Sequence, residues 1–482
     1  MITLIISILA LVMGYMLYGR LAEKVFGPDK SRKTPAYSKT DGLDFIPLPS
    51  WKVFMIQFLN IAGTGPIFGA IMGAKFGPSC YLWIVLGCIF AGAVHDYMMG
   101  MLSVRSGGAG LPELVGEHLH PKAKTVSIVF SGVMLLFVGA VFVYSPALIL
   151  GSFTSTPALD TTFIWVLIVL VYYVIATLVP IDKIIAKLYP VFAIALLFMA
   201  VALLACLFAK WPSGMPELWS GLHNRAPSSG SIFPVLFITI ACGAVSGFHS
   251  TQSPLMARCM KNESLGRPVF YGAMITEGIV ALVWAAVSSY FFFAGGNAEM
   301  GAEGVSAAPQ VVTTVSKYWL GPVGSILAIL GVVAAPITSG DTALRSLRLI
   351  VADAFKLDQK PMRNRLVVSI PIFIVTAALL WFNIANAEGF DIIWRYFGWA
   401  NQTLAALALW TVTAFLAKNR KGISYMMGLI PAAFMTSVTL IFILTARIGF
   451  NLPAGSTPYL GVSLFCLSIA IFYMLKNRKA AI

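Results

Sequence analysis

Thirteen long apolar runs, separated by short polar segments, set the pattern of this 482-residue chain. A helix that crosses a membrane needs about 20 mostly apolar residues, because the hydrocarbon core of a bilayer is about 30 Å thick. The runs therefore predict thirteen transmembrane helices, called spans 1 to 13 below. In chain order they are residues 2–18, 51–74, 79–104, 124–150, 160–180, 188–209, 231–257, 268–296, 322–341, 366–385, 391–417, 424–446 and 456–475. We expect an all-α membrane protein, with residues 1–482 forming a single integral membrane domain in the lipid bilayer.

The composition agrees with this prediction. Hydrophobic residues make up 59% of the chain and charged residues only 11%, whereas a soluble domain has about 25% charged residues. If the N-terminus is outside, 27 of the 33 Lys and Arg residues, including Lys183 and Lys421, fall on the inner side. The positive-inside rule then predicts an outside N-terminus and a cytoplasmic C-terminus. This distribution also explains the net charge of +14, so that charge does not indicate a nucleic-acid partner.

Two spans contain helix-breaking residues in their middle. Span 2 carries "IAGTGPIFGA" at 61–70, and span 7 carries "ACGAVSGFHSTQSP" at 241–254. A break frees backbone N–H and C=O groups, which are tolerated at membrane depth only against protein or a wet cavity. Paired breaks in two inverted halves form the substrate and ion sites of secondary transporters. The alternative is that these glycines only let helices pack closely.

The positions of the breaks predict an inverted repeat. Spans 2 and 7 begin five helices apart, so they cross the membrane in opposite directions. We therefore predict a first five-helix repeat at 51–209 and a second at 231–417. Span 1 precedes this 5+5 core, and two trailing helices at 424–475 follow it.

Small and polar residues around the breaks are the candidates for substrate binding. The N-terminus of a half-helix carries a partial positive charge, which favours a carboxylate group. The candidates are Asn60, Gly63, Thr64, Gly65, Ser246, Gly247, His249, Ser250 and Gln252. His249 has an alternative interpretation as a structural residue whose hydrogen bonds are satisfied by its neighbours.

Ionisable residues inside a membrane are costly and indicate function. Asp96 follows His95 in span 3, Glu277 lies in span 8, and Asp341 ends span 9. Burial favours the protonated form of a carboxyl group, which suits proton coupling. We therefore predict Asp96, Glu277 and His95 as candidates for a proton relay. The alternative is that these acids anchor neighbouring helices through hydrogen bonds.

Five motifs in the same order resemble the carbon starvation protein A family of bacterial inner-membrane transporters. They are "GPIFGAIMGAKFGP", "FAGAVHDYMMG", "GAVSGFHSTQSP", "TSGDTALRSLRLIVADAF" and "FGWANQTLAALAL". The resemblance runs from about residue 10 to about residue 420 and implies membership of the amino acid–polyamine–organocation superfamily, with a LeuT-like fold. It also implies uptake of peptides, or of pyruvate, across the bacterial inner membrane, driven by a cation gradient.

The resemblance further implies a cation site on span 9. In LeuT-like proteins a Thr-Ser pair and a carbonyl three residues earlier face the first broken helix across a sodium ion. In this sequence those positions are Thr338, Ser339 and the carbonyl of Ala335. Oxygen ligands suit a hard cation. Two alternatives stay open: a proton-coupled remnant of the site, or a simple cap at the end of the helix.

The function predicted from these features is secondary active uptake of small peptides, coupled to Na⁺ or H⁺ by alternating access. The alternatives are a pyruvate or amino-acid symporter and, from another class, a membrane nutrient sensor or channel. No nucleophile–base arrangement or Walker motif is present, so we expect neither an enzyme nor direct use of ATP. We expect no cofactor and no metal beyond a possible sodium ion, and the residues predict no particular oligomeric state. The amides of Asn401 and Gln402 in span 11 either bind substrate or join helices.

Overall fold

The computed structural model describes residues 1–154, 161–178, 185–386, 388–420, 422–453 and 457–480. These residues form helices joined by loops, and they contain no strand. Short helices in the loops are Pro35–Ser38, Leu111–His118, Leu218–Ser220, Pro227–Ser229, Glu263–Leu265 and Gly296–Glu299. The predicted charges at Lys183 and Lys421, and residues 160, 179–180 and 456 at the ends of spans 5 and 13, lie outside the described residues.

Most spans are single helices. Spans 1, 4, 5, 6, 10, 11, 12 and 13 are Ile2–Phe26, Pro121–Thr154, Thr161–Leu178, Ile185–Lys210, Met362–Ala385, Gly389–Asn419, Met426–Thr445 and Thr457–Ala480. Span 9 belongs to the longer helical segment Ala308–Ala354, which is interrupted at Gly321, where the backbone is non-helical with φ 63° and ψ −172°. Spans 3 and 8 each contain a π-helical turn. In span 3 the turn Cys88–Gly92 joins the helices Ser79–Gly87 and Ala93–Arg105. In span 8 the turn Arg267–Tyr271 precedes the helix Gly272–Phe293. In the described residues, eleven helices are long and apolar enough to cross a membrane.

Spans 2 and 7 are the broken ones. In span 2, Ser50–Ala62 is followed by Gly65–Gly69 and Ala70–Ala74, with a bend of 52° that makes this pair a twelfth crossing. In span 7, Ile232–Leu236 and Phe237–Thr239 are separated from Gly247–Ala257 by a non-helical stretch at 240–246. The pieces of span 7 are individually short, but residues 232–257 provide enough chain for one crossing.

Two predicted boundaries are wrong. Span 1 continues beyond residue 18 to Phe26, where Gly27 closes the helix with a left-handed backbone at φ 67°. Span 9 does not end at Asp341, because its helix continues to Ala354. The apolar run stops at Arg345, yet this residue is buried and lies 3.2 Å from the carboxylate of Asp44. The helix therefore carries its charge into protein, and Ser339 and Asp341 do not lie at the end of span 9.

The spans divide into a buried centre and a lipid-facing periphery. In the most apolar stretch of span 8, 83% of the residues are buried within the protein, and 81% are buried in span 9. The corresponding shares are 33% in spans 1, 6 and 10 and 6% in span 13. Exposed apolar side chains on the peripheral spans suit a hydrocarbon solvent. The broken spans contact spans 3, 8, 9 and 11 in the centre, and span 2 also contacts span 6.

Candidate substrate and ion site at the two broken helices

The two breaks are in direct contact. A Cβ atom added to Gly65 would lie 2.2 Å from Cβ and 2.4 Å from Sγ of Cys242, which are closer than atoms pack. On the other side, a Cβ at Gly243 would lie 3.7 Å from Cα of Pro66. Glycine at position 65 thus allows the second break to approach the first. The stretches that the sequence singled out separately therefore lie against each other in the structure.

Span 9 satisfies the backbone of the first break. The half-helix Ser50–Ala62 ends at Gly63, whose φ of +40° is unfavourable for other residues. Ser339 Oγ donates a hydrogen bond of 2.9 Å to the carbonyl oxygen of Leu59, in the last turn of that half-helix. A longer contact of 3.4 Å joins Thr342 Oγ1 to Asn60 Oδ1. A carbonyl freed by the break therefore has a partner inside the membrane.

Span 11 satisfies the backbone of the second break. Asn401 Oδ1 accepts hydrogen bonds from the backbone N–H of Phe248 at 2.7 Å and from Ser246 Oγ at 3.1 Å. Gln402 Nε2 donates to the carbonyl oxygen of Phe237 at 2.8 Å. Two adjacent side chains thus bind one backbone group at the start of the second half-helix and one backbone group before the break. These contacts correspond to the helix-joining interpretation of both amides.

Four ionisable side chains form a chain beside the second break. The two carboxylate oxygens of Asp96 each contact a different histidine ring. Oδ1 lies 2.7 Å from His95 Nδ1, and Oδ2 lies 2.9 Å from His249 Nδ1. His249 Nε2 lies 3.5 Å from a carboxylate oxygen of Glu277. All four side chains are fully buried. The structure therefore brings together the three predicted relay candidates and His249, which the sequence assigned to substrate binding.

Cys242 belongs to the same cluster, and the sequence reasoning missed it. Its sulfur and one ligand atom each from His249 and Glu277 lie within 4.8 Å of one another. The spacing from Cys242 to His249 matches no familiar metal motif, and Glu277 lies on another span. The only sequence signal is that Cys242 sits inside the same break as His249.

Several buried polar atoms near the breaks lack a hydrogen-bond partner among the described residues. On span 2 these are Gln57 Oε1, Asn60 Nδ2 and Thr64 Oγ1, on span 7 His249 Nε2 and Gln252 Oε1, and on span 11 Asn401 Nδ2 and Gln402 Oε1. Buried polar groups usually have partners, so a concentration of free ones indicates a surface that receives polar ligands. Gln57 was not predicted, although it lies one turn before Asn60 on the same half-helix. Ser250, by contrast, donates to the carbonyl oxygen of Gly247 in its own helix at 2.6 Å.

Of the oxygen atoms implied for sodium, Ser339 Oγ lies on the face of span 9 that meets the first break. Thr338 Oγ1 donates to the carbonyl oxygens of Ala334 at 2.8 Å and Ala335 at 2.9 Å. Ser339 Oγ reaches across to span 2 as described above. Asp341 lies nearby with different partners, since the hydroxyls of Tyr172 and Tyr189 donate to its carboxylate. The role of these oxygens in binding an ion stays a prediction.

A cavity of about 520 Å³ lies at the face formed by the basic loops. Its lining includes Asp44, Arg258 and Asp353. A second, small cavity shares Arg258 and Asp353 and extends to Thr251 and Ser346. Beyond it, Gln252 Nε2 lies 3.4 Å from Ser346 Oγ. The two cavities are thus adjacent, and the smaller one is lined in part by the helix that carries the second break.

Solved transporter structures share this architecture. A manganese transporter from Eremococcus coleocola matches 91% of this chain and 99% of its own, with a TM-score of 0.59 and 12% identity. A Na⁺-coupled sialic acid symporter matches 96% of each chain, with a TM-score of 0.56 and 13% identity. At such low identity these matches establish the fold and nothing finer. The predicted LeuT-like architecture is confirmed.

Relatives in bacteria are membrane proteins and transporters. An uncharacterized membrane protein of Haemophilus influenzae is 44% identical over 58% of this chain and 89% of its own length. The peptide transporter CstA of Campylobacter jejuni is 27% identical over 89% of this chain and 78% of its own. The pyruvate/proton symporter BtsT of Escherichia coli is 30% identical over 56% of this chain and 46% of its own. The family described as carbon starvation protein CstA matches residues 1–164, 151–322 and 294–442. The chain is thus a multi-pass bacterial membrane protein that belongs to the carbon starvation protein CstA family.

Proposed function

We propose that this protein takes up small peptides across the bacterial inner membrane by cation-coupled alternating access. The observation that carries the proposal is the contact between the two broken spans at Gly65 and Cys242, within a fully buried polar region. Secondary transporters of this fold bind substrate and ion where discontinuous helices meet. Relatives named as a peptide transporter and as a pyruvate/proton symporter support the same class of activity.

The chemistry of the site suits a short ligand with a carboxylate and amide groups. The half-helix Gly247–Ala257 directs its positive end into the break. The unpaired atoms of Gln57, Asn60 and Gln252 include acceptors and a donor, which match the N–H and C=O groups of a peptide bond. A pyruvate or amino-acid substrate would use the helix end in the same way, and it is the alternative. The nine predicted substrate-binding residues and the repeats at 51–209 and 231–417 remain part of this proposal.

Alternating access requires a path to each side of the membrane. We propose that the cavity lined by Asp44, Arg258 and Asp353 is the cytoplasmic vestibule, with the N-terminus outside and the C-terminus inside. Opening the contacts of Gln252 and Thr251 with Ser346 would connect the vestibule to the breaks. Release into the cytoplasm would then require movement of span 7 relative to span 9, since these residues belong to those two spans.

Two sets of residues suit the two possible coupling ions. For sodium, they are the carbonyl of Ala335 and the hydroxyls of Thr338 and Ser339, beside the carbonyl oxygen of Leu59. For a proton, they are Asp96 and Glu277, which His249 links through its two ring nitrogens. Each set is fully buried, and each lies next to one of the two breaks.

The test is uptake of labelled di- and tripeptides, pyruvate and amino acids into proteoliposomes under imposed Na⁺ or pH gradients. A carrier accumulates one of these substrates saturably, and only with the gradient of its coupling ion. If sodium couples, Thr338→Val and Ser339→Ala raise the sodium requirement. If a proton couples, Asp96→Asn and Glu277→Gln abolish gradient-driven uptake and preserve substrate exchange.

Thr376→Val is the matched control for Thr338→Val. Thr376 is also fully buried, and it also donates to the carbonyl oxygen four residues earlier in its helix, at 2.9 Å. It lies in span 10, away from both breaks, so its substitution should leave the ion dependence unchanged. Movement of solute only down its own electrochemical gradient would indicate a channel and overturn the proposal. Ligand binding with no transport would indicate a sensor.

A further inference from the structure

Three different donor atoms converge at the second break. The thiol of Cys242, the imidazole of His249 and the carboxylate of Glu277 each offer one atom, and these atoms lie within 4.8 Å of one another. A tetrahedral Zn²⁺ ion with bonds of about 2.0–2.3 Å holds its donors about 3.3–3.8 Å apart. His249 Nε2 and Glu277 Oε2 are already separated by 3.5 Å. A small movement of the Cys242 side chain would complete the three-donor set.

The atoms that face this point have few strong partners. His249 Nε2 and Glu277 Oε2 contact each other at 3.5 Å, which is too long for a good hydrogen bond, and the Gly243 backbone lies close to the same carboxylate. Both side chains are fully buried, and a weakly paired carboxylate in such surroundings is disfavoured. Cys242 Sγ contacts Ser246 Oγ at 3.4 Å and the ring of His249. A positively charged ligand between these donors would replace weak contacts with stronger ones.

The second ring nitrogen of His249 is held as it is in metal sites. Its Nδ1 lies 2.9 Å from Asp96 Oδ2, and the other oxygen of that carboxylate contacts His95 at 2.7 Å. A ligating histidine commonly donates its remaining N–H to a carboxylate, which fixes the ring and leaves Nε2 free for the metal. This arrangement directs the free nitrogen of His249 toward Glu277 and Cys242.

Charge provides an independent argument. The cluster buries the carboxyl groups of Asp96 and Glu277 together with a thiol. On metal binding the Cys242 thiol releases its proton to solvent, and the divalent ion neutralises the resulting thiolate and the Glu277 carboxylate. It also explains why a thiol belongs to the cluster, since a proton relay between carboxylates and imidazoles has no use for sulfur. Sulfur, nitrogen and oxygen together favour a borderline metal such as Zn²⁺ over Na⁺ or Mg²⁺.

We propose that Cys242, His249 and Glu277 bind one divalent transition-metal ion of the Zn²⁺ class, with Asp96 as the positioning residue for His249. The three protein donors leave a fourth position for water or for an oxygen of a bound ligand. The ion joins span 8 to the break in span 7. The site depends on this donor geometry and not on the identity of the transported substrate.

The test is metal binding by the purified full-length protein in detergent, with exposed Cys466 replaced by Ser in every sample. Wild type treated with a chelator should regain about one Zn²⁺ per chain by mass spectrometry, and Zn²⁺ should raise its apparent Tm. Co²⁺, used as a spectroscopic probe, should give a thiolate-to-metal absorption band. If wild type binds no stoichiometric Zn²⁺ and Co²⁺ gives no such band, the proposal is wrong, whatever the transport assays find.

Variants assign the donors. Cys242→Ser should abolish the thiolate band and weaken Zn²⁺ binding more than about 100-fold, whereas Asp96→Asn should keep the band and weaken binding about 10–100-fold. Cys80→Ser is the matched control, because Cys80 is an equally buried free thiol that does not belong to the cluster. Equal Zn²⁺ binding by Cys242→Ser and Cys80→Ser would overturn the assignment.

Discussion

Gly65→Ala tests the contact between the two breaks most directly. The backbone at position 65 does not have a positive φ, so alanine is conformationally acceptable there. Its new Cβ would lie 2.2 Å from Cβ of Cys242, whereas carbon atoms pack at about 3.5–4.0 Å. The two breaks would therefore have to separate by more than about 1 Å. Crowding of this kind in a packed interior costs about 1–3 kcal/mol.

A second substitution should relieve the crowding. Cys242→Gly removes both side-chain atoms that the new methyl group meets, and the next atom, Cα of residue 242, is at 3.5 Å. The double variant Gly65→Ala/Cys242→Gly should therefore be more stable than the sum of the two single effects predicts. We expect a coupling free energy of about 1–3 kcal/mol.

The assay is thermal unfolding of the purified protein, followed by tryptophan fluorescence, combined with uptake into proteoliposomes. Gly132→Ala is the matched control: position 132 is inside a helix of span 4, and the nearest atom to an added Cβ is at 3.8 Å. Its Tm should be unchanged or higher, because alanine is favoured over glycine by about 0.5–1 kcal/mol within helices. Wild-type stability and uptake in Gly65→Ala would refute the contact between the breaks.

Three further predictions concern the rest of the protein. Asn401→Leu leaves a buried N–H of the second half-helix without its acceptor, so it should lower the free energy of unfolding by about 1–3 kcal/mol. Thr403→Val, on the same span, is the control and should have little effect in the same unfolding assay. Burial raises the pKa of Asp44, but the neighbouring arginines outweigh this effect and hold the pKa below its usual range. The charged carboxylate therefore stabilises the fold at neutral pH. Asp44→Asn should lower Tm by a constant amount between about pH 5 and 8, and the difference from wild type should be lost in acid. A difference that is instead lost near neutral pH would contradict this pKa. In intact cells, a membrane-impermeant thiol reagent should label Ser228→Cys but not Ser38→Cys, and the opposite result would reverse the orientation.

Much of the membrane architecture follows from the sequence, because it depends on local properties of the chain. Each crossing requires its own apolar run of sufficient length, wherever the other helices lie. Gly63 and Gly65 similarly weaken the helix of span 2 through their own backbone freedom. The boundary of span 9 was predicted wrongly for the same reason: Arg345 ends an apolar run, but its contacts with distant Asp44 and with the carbonyl oxygen of Ala176 keep it within the protein.

The composition of the site was decided by tertiary structure. Asp96 and His249 are separated by 153 residues and meet at 2.9 Å, and no spacing along the chain encodes that distance. The sequence marked both residues because polar groups are unusual within membrane helices. It could not indicate that Asn401 and Gln402 would satisfy the second break, or that Cys242 would lie beside Glu277. These contacts exist because spans 2 and 7 pack against each other at their breaks. That packing decides which faces of spans 3, 8 and 11 surround the breaks.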